Sequence, residues 1–195
     1  MLRTSTLIAF LLLVVFTGMM LVGSGTAVAQ TTSDVFWVGY YSGGATNSRT
    51  PPATVGSLYS INPGASGGTL CADVYVFDQF EEMQECCSCP ITIDGLFTDT
   101  IFDLTNNPSF TNKFSATGVI KVISDVACSA AAPVPTPELR SYITNPQSTT
   151  VTESELEPTP LSGAEQAQLA QACSFIKTNQ SGRGICGQAA GCFLF

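Results

Sequence analysis

The chain has 195 residues and a formal net charge of −8, because it contains seven Lys and Arg residues and fifteen Asp and Glu residues. An acidic surface repels phosphate backbones and anionic lipid headgroups, so binding to nucleic acid and peripheral binding to membranes are disfavoured. The chain contains no histidine, which excludes a Ser-His-Asp or Cys-His triad, imidazole general-base catalysis and any metal site that requires imidazole.

The first 29 residues are typical of a cleavable signal peptide. Arg3 gives a short basic start, the uncharged run Leu7–Val22 follows, and Ala27 and Ala29 fit the small-residue cleavage pattern before Gln30. A membrane helix needs about 20 apolar residues, and this run is shorter. We therefore expect cleavage and export, giving a secreted or periplasmic protein. The alternative is an uncleaved anchor, which would be the chain's only contact with a membrane.

Residues 30–128 are predicted to form a β-sandwich-like domain. Short runs of aromatic and β-branched residues alternate with turn-forming Gly, Asn and Pro, and no helical pattern separates them, which favours an antiparallel sandwich. The predicted strands are Val35–Tyr41, Val55–Ile61, Thr69–Phe77, Gln84–Thr92, Thr98–Leu104 and Ala116–Val126.

The rest of the chain has a different composition. Residues 129–160 are rich in Pro and polar residues, which predicts an extended linker with one short strand at Ser141–Thr144. Residues 161–195 are predicted to form a helix and a cysteine-rich terminal segment. Ser162 and Glu165 have capping-box spacing, and apolar residues recur with a 3.6-residue period up to Ile176. The expected fold is mainly β: an antiparallel β-sandwich with a short C-terminal helix and a disulfide-tied tail.

Cysteines occur only after the signal segment, and their even number in an exported chain predicts a disulfide framework. Each bridge stabilises a fold by about 2–4 kcal/mol. Adjacent cysteines on a strand point to opposite faces, so Cys86 and Cys87 are expected to bond to different partners. Cys173–Cys186 is our first expectation for a local bridge. The eight cysteines are Cys71, Cys86, Cys87, Cys89, Cys128, Cys173, Cys186 and Cys192.

The dense segment Cys86-Cys87-Ser88-Cys89 leaves two alternatives to structural disulfides, a thiolate metal site and a redox-active pair. Structural zinc sites usually contain two C-x₂-C pairs, and this spacing does not match them. Disulfides are therefore favoured, and neither a cofactor nor a metal is expected.

Three aromatic residues of the first predicted strand, Trp37, Tyr40 and Tyr41, are candidates for a binding surface that stacks on sugars. On a strand Trp37 and Tyr41 share one face and Tyr40 lies on the other. Aromatic residues of a sandwich more often pack in the core than form a binding platform, which is the competing interpretation.

Carboxylates are the remaining candidates for chemistry. A pair about 5–9 Å apart could hydrolyse a glycoside, and an oxygen cage could hold calcium. A solvated acidic loop is the favoured interpretation. The two groups are Asp78, Glu81, Glu82 and Glu85, and then Asp94, Asp99 and Asp103.

Two motifs resemble a group of secreted bacterial proteins without an assigned activity. One is a strand that ends in Phe77-Asp78 and is followed by the run Cys86-Cys87-Ser88-Cys89-Pro90, and the other is the closing segment around Cys173 and Cys186. The resemblance covers about half of the mature chain. It implies export and cysteine pairing, and it implies no catalytic residue.

The sequence therefore predicts a secreted, disulfide-stabilised structural or interaction protein whose partner is an extracellular protein or a glycan. No catalytic residue is assigned. A carbohydrate-binding module is the alternative, and a carboxylate-dependent glycosidase is a weaker one.

Overall fold

The computed structural model of the chain describes residues 35–44, 55–105, 115–147, 150–179 and 192. All of them belong to one unit, Thr31–Phe195. The expected signal peptide and its cleavage site lie outside the described residues, and the boundaries expected at 128 and 160 stay predictions.

The described elements, in chain order, are β1 (Phe36–Ser42), β2 (Ser57–Ile61), β3 (Leu70–Asp78), β4 (Met83–Ile91), β5 (Leu96–Thr100), α1 (Ile101–Thr105), β6 (Thr117–Asp125), β7 (Arg140–Gln147), β8 (Thr150–Glu155), β9 (Glu157–Pro158) and α2 (Gly163–Asn179). The strands form two antiparallel sheets, with strand orders β4-β3-β6-β1-β9 and β5-β2-β7-β8. The predicted antiparallel β-sandwich with a short C-terminal helix is confirmed.

The main core lies between the two sheets. Alternate residues of β3, among them Leu70 and Val74, point inward and meet Leu58 and Ile143 of the opposite sheet in one buried cluster. Alternation follows from the two-residue period of a strand. Burying each large apolar side chain contributes about 1.5–3 kcal/mol before chain entropy is considered.

A second core lies on the outer face of the five-stranded sheet. Phe36, Tyr75 and Ile123 cluster there with Leu169 and Ile176 of α2. Strand β3 is therefore buried on both faces, which explains its nearly continuous apolar sequence.

Helix α2 begins where the capping box predicts. The Ser162 Oγ accepts a hydrogen bond from the backbone N–H of Glu165 at 3.1 Å, which satisfies one of the free donors of the first turn. The helix ends at Asn179.

The predicted strand Thr98–Leu104 is wrong in its second half, where α1 replaces it. The Thr100 hydroxyl accepts the backbone N–H of Asp103 at 3.0 Å and donates to the Asp103 carboxylate at 2.6 Å. This reciprocal pair caps a helix N-terminus and turns the chain out of the sheet.

The Pro-rich segment 129–160 contains β7, β8 and β9, which add strands to both sheets. Its prolines lie where a missing backbone N–H is tolerated. Pro146 lies beyond the part of β7 that pairs with β2, and Pro158 lies in the edge strand β9. An extended linker with one short strand at Ser141–Thr144 was expected here; the structure has a strand at that position within β7, and β8 and β9 in addition.

Three described disulfides are Cys71–Cys128, Cys86–Cys173 and Cys89–Cys192, and Cys87 is disulfide-bonded as well. The Cys89–Cys192 bridge ties the tail, as predicted. The expected Cys173–Cys186 bridge is wrong, because α2 packs on the outer sheet face and brings Cys173 against Cys86. Cys186 itself lies outside the described residues.

Disulfides form and persist in oxidising compartments, which indicates that this fold matures in one. Among the helices of the described part, none is both long enough and apolar enough to cross a bilayer.

Candidate functional site

The three aromatic candidates of β1 do not share a surface. Trp37 is 2% exposed and Tyr41 is 0% exposed, and both belong to the core between the sheets. The Tyr41 hydroxyl donates to the Phe77 carbonyl oxygen at 3.1 Å. Tyr40 lies on the opposite face and is 59% exposed. Of the three, Tyr40 alone offers a ring that a ligand could stack upon.

A cavity of about 430 Å³ lies between α2 and the outer face of the five-stranded sheet. We call it the helix groove. This volume is within the usual range for ligand sites, roughly 300–1,000 Å³. Its lining combines apolar, amide and charged side chains, and the main ones are Phe77, Glu81, Val119, Lys121, Glu165 and Gln168.

Lys121 connects the sheet and helix walls of the helix groove. Its Nζ lies 2.6 Å from the Glu165 carboxylate and 5.0 Å from the centroid of the Phe77 ring. Both charged side chains of the ion pair are about one-quarter exposed, so water screens the pair only partly. Lys121 balances the charge of Glu165, so the Glu81 carboxylate makes one side of the groove acidic.

Tyr40 lies in one row with two lining residues of the helix groove, on three neighbouring strands. The register places Tyr40 opposite Val119, and Val119 opposite Phe77. Directly paired side chains on one face of a sheet lie about 5 Å apart at their Cβ atoms. The exposed Tyr40 ring therefore borders the lining of the groove.

The Cys86–Cys173 disulfide fixes the two walls of the helix groove to each other. Cys86 lies on β4 and Cys173 on α2, and their Cα atoms are 5.6 Å apart. Adjacent Cys87 points to the opposite side and belongs to the core between the sheets. A groove held by a covalent bond needs little ordering when a ligand binds.

Asp78 organises the β3–β4 hairpin. Its Oδ1 accepts the backbone N–H groups of Phe80 and Glu82 at 2.8 and 2.9 Å, and its Oδ2 accepts a hydrogen bond from the Gln84 amide at 2.9 Å. These three bonds occupy the carboxylate that a glycosidase would use. The structure therefore explains Asp78 as a turn residue.

The other acidic candidates are dispersed. Asp94 is exposed in a turn, and Asp103 caps α1. Asp99 is buried, and desolvation raises the pKa of its carboxyl to about 7. Glu85 is buried, whereas Glu81 and Glu82 are exposed. Within the described ranges, no group of three or more potential ligands could hold a metal ion.

Asp73 is a buried carboxyl group that the sequence pattern did not single out. It lies on the outer face of β3, is 0% exposed and accepts a hydrogen bond from the Ser88 hydroxyl. Burial, and then repulsion by the Asp125 charge, raise the pKa of Asp73 to about 9. Asp73 is therefore neutral at pH 7. A charged residue inside an apolar strand is the signal that could have revealed it.

Asp125 holds the loop that follows β6. Its carboxylate accepts the backbone N–H groups of Ala127, Ser129 and Val134 at 2.7–2.9 Å. Cys128 has a positive φ of 54°, a conformation unusual for a residue with a side chain. Asp73 and Asp125 are both 0% exposed, and the Asp125 carboxylate shapes this loop.

A second cavity, of about 380 Å³, lies where the start of β7 and the ends of β8 and β9 meet. We call it the Trp37 cleft, because Trp37 is one of its lining residues. Three prolines contribute apolar surface and three charged side chains contribute polar surface. Its main lining residues are Trp37, Pro63, Pro137, Glu138, Arg140 and Glu155.

Glu138 is the unusual residue of the Trp37 cleft. Its φ is 113°, a backbone conformation that costs a non-glycine residue about 1–3 kcal/mol. Its Oε2 is buried and has no hydrogen-bond donor among the described residues, and leaving such an acceptor unsatisfied costs about 1–3 kcal/mol more. Arg140 does not neutralise it, since Arg140 pairs with Glu155 at 3.9 Å.

No protein-family model, curated protein or solved structure matches the chain. Its own geometry is therefore the basis for inferring its function.

Proposed function

We propose that the chain is an exported, disulfide-stabilised interaction protein that binds its partner in the helix groove. The observation that supports this most directly is the Cys86–Cys173 bridge, which joins the helix wall to the sheet wall. The signal-peptide pattern of residues 1–29 and the oxidised cysteines support export.

The engagement of the carboxylates supports binding over catalysis. A glycosidase needs two carboxyl groups that converge on one bond. Asp78 is occupied by the β3–β4 hairpin and Asp103 by the cap of α1. The helix groove instead presents apolar, amide and charged groups that recognise a surface without requiring a reacting pair.

A glycan is the partner class that Tyr40 favours, and an extracellular protein is the other class. Sugar rings stack on exposed aromatic rings through their C–H faces, while carboxylate and amide groups bind their hydroxyl groups. Tyr40 supplies the exposed ring, and Glu81 and Gln168 of the adjoining groove supply polar groups. Of the originally predicted aromatic residues, we retain Tyr40 for this role.

Glycan-array binding of the oxidised protein tests the proposal, with Tyr40→Ala and Gln168→Ala as groove variants. Tyr142→Ala is the matched control, because Tyr142 stacks on Tyr59 on the other sheet. We expect binding to weaken about tenfold or more in each groove variant, as for hot-spot residues, and to persist in Tyr142→Ala. Equal binding of all three variants would contradict the groove assignment.

Analysis of the protein recovered from the cell envelope and the culture medium tests export. We expect an N-terminus at Gln30 and oxidised cysteines by mass spectrometry. Free thiols, or a retained N-terminal segment, would contradict the proposed maturation.

A further inference from the structure

We propose that the Trp37 cleft is a second binding site, which accepts an alkylammonium group of the lysine side-chain type. The proposal is independent of the helix groove, because the two cavities share no lining residue.

Charge defines the ligand that the Trp37 cleft requires. Glu138 and Glu155 contribute two negative charges and Arg140 contributes one positive charge, so the lining carries a net charge of −1. Arg140 lies 3.9 Å from Glu155, and both of these side chains are largely exposed to water. Glu138 keeps a buried oxygen without a donor among the described residues. A ligand that carries one positive charge would balance this lining, and its N–H groups would donate to the Glu138 carboxylate.

The walls of the Trp37 cleft suit the hydrocarbon part of such a ligand. Pro63, Pro137 and Pro158 provide apolar surface, against which a hydrocarbon chain can pack. A calcium ion would need about six or more oxygen ligands. No group of described residues reaches even the three ligands that mark a metal site. An organic cation therefore fits the cleft better than a metal ion.

The unusual backbone of Glu138 agrees with a binding role. Glu138 lies between Pro137 and the buried Leu139, and its φ is 113°. Strained backbone clusters at active sites, ligand clamps and switch regions. The strain places a carboxylate in a cleft whose described residues supply no partner for its Oε2.

Trp37 provides the assay, since it is the only tryptophan of the chain. The oxidised full-length protein is titrated with Nα-acetyl-lysine methylamide while the Trp37 fluorescence is recorded. The uncharged analogue Nα-acetyl-norleucine methylamide has a similar chain without the amine. We expect a saturable change in emission with the lysine derivative and none with the norleucine derivative.

Glu138→Gln is the test variant, and Glu157→Gln is the matched control because Glu157 is exposed and does not line the cleft. We expect the dissociation constant to rise about tenfold or more in Glu138→Gln, as when a charge-assisted hydrogen bond is lost, and to stay unchanged in Glu157→Gln. Equal responses to the lysine and norleucine derivatives would overturn the proposal without any variant. Wild-type affinity in a folded Glu138→Gln protein would overturn it as well.

Discussion

Replacing Asp73 by asparagine tests whether the second core contains a neutral carboxyl group. The folded protein holds a proton on Asp73 up to about pH 9, whereas the unfolded chain releases it near the ordinary value of 3.8. Between these values the folded state binds more protons, so its free energy of unfolding falls as pH rises. The contribution of Asp73 to the free energy of unfolding is fully present below pH 3.8 and is lost as the pH rises to about 9.

The magnitude follows from the width of that window. Each pH unit contributes about 1.4 kcal/mol at most, and pH 7 lies about three units above the unfolded pKa. Wild-type protein therefore loses up to about 4 kcal/mol between pH 4 and pH 7 through Asp73. The asparagine side chain of the Asp73→Asn variant cannot ionise, and its amide oxygen can still accept a hydrogen bond from the Ser88 hydroxyl. We expect the variant to be more stable than wild type at pH 7 by about 2–4 kcal/mol.

Urea unfolding of the oxidised protein at several pH values between 4 and 9 provides the measurement. The difference between variant and wild type should be near zero at pH 4 and should grow as pH rises. Asp99 also has a raised pKa, but it is present in both proteins and cancels in the difference. Asp94→Asn, an exposed change of the same kind, is the control. If the free energies of unfolding of Asp73→Asn and wild type changed with pH in parallel, the proposal that the Asp73 carboxyl is neutral would be refuted.

Three further changes test the packing of the sandwich and the helix. Gly118→Ala should destabilise the fold by about 1–3 kcal/mol, because an added Cβ would overlap a backbone oxygen of the neighbouring strand. Gly68→Ala is the control for thermal unfolding, since its Cβ would meet open space and should change the stability little. Ser162→Ala removes the cap of α2 and should cost about 1 kcal/mol in chemical unfolding; no loss would contradict the capping role. The double variant Cys86→Ser, Cys173→Ser should lose about 2–5 kcal/mol and, in hydrogen exchange, weaken protection of α2 more than that of β3. An equal loss of hydrogen-exchange protection in α2 and β3 would contradict a local role of the Cys86–Cys173 bridge.

Strand periodicity was sufficient to predict most of the β structure. Leu70–Asp78 and Thr117–Asp125 consist largely of β-branched and apolar residues, and both were expected within one or two residues of their ends. Adjacent Cys86 and Cys87 were expected on opposite faces, and they belong to different cores. These features depend on local geometry alone, which is why the sequence reveals them.

Features that depend on tertiary packing were not predicted. The partner of Cys173 depends on where α2 docks, and no local pattern specifies that the helix covers β4. Proline content suggested a linker in 129–160, but β7 pairs with β2, which is far away in sequence, and β8 then pairs with β7. The Thr100–Asp103 cap corresponds to a T-x-x-D pattern in the sequence, but the apolar residues within and after this pattern favoured a strand.

The candidate sites show the same division. Alternation placed Tyr40 opposite in direction to Trp37 and Tyr41, and burial then separated one exposed ring from two core rings. Neither cavity has a sequence motif, because each is assembled from segments that are distant in the chain. Glu138 is notable through its φ and its buried oxygen, and neither property can be seen in a sequence.

The order of the cysteines has a consequence for biosynthesis. Cys86 and Cys89 await partners that are synthesised 87 and 103 residues later, and Cys71 awaits one that is 57 residues away. A chain that emerges N-terminus first thus brings the thiols of β4 together before any correct partner exists, and neighbouring thiols oxidise readily with one another. Native pairing then requires exchange through mixed disulfides, a slow step that takes seconds to hours without help. Yield in a producing host should therefore follow its capacity to reshuffle sulfur bonds more closely than its capacity to make them.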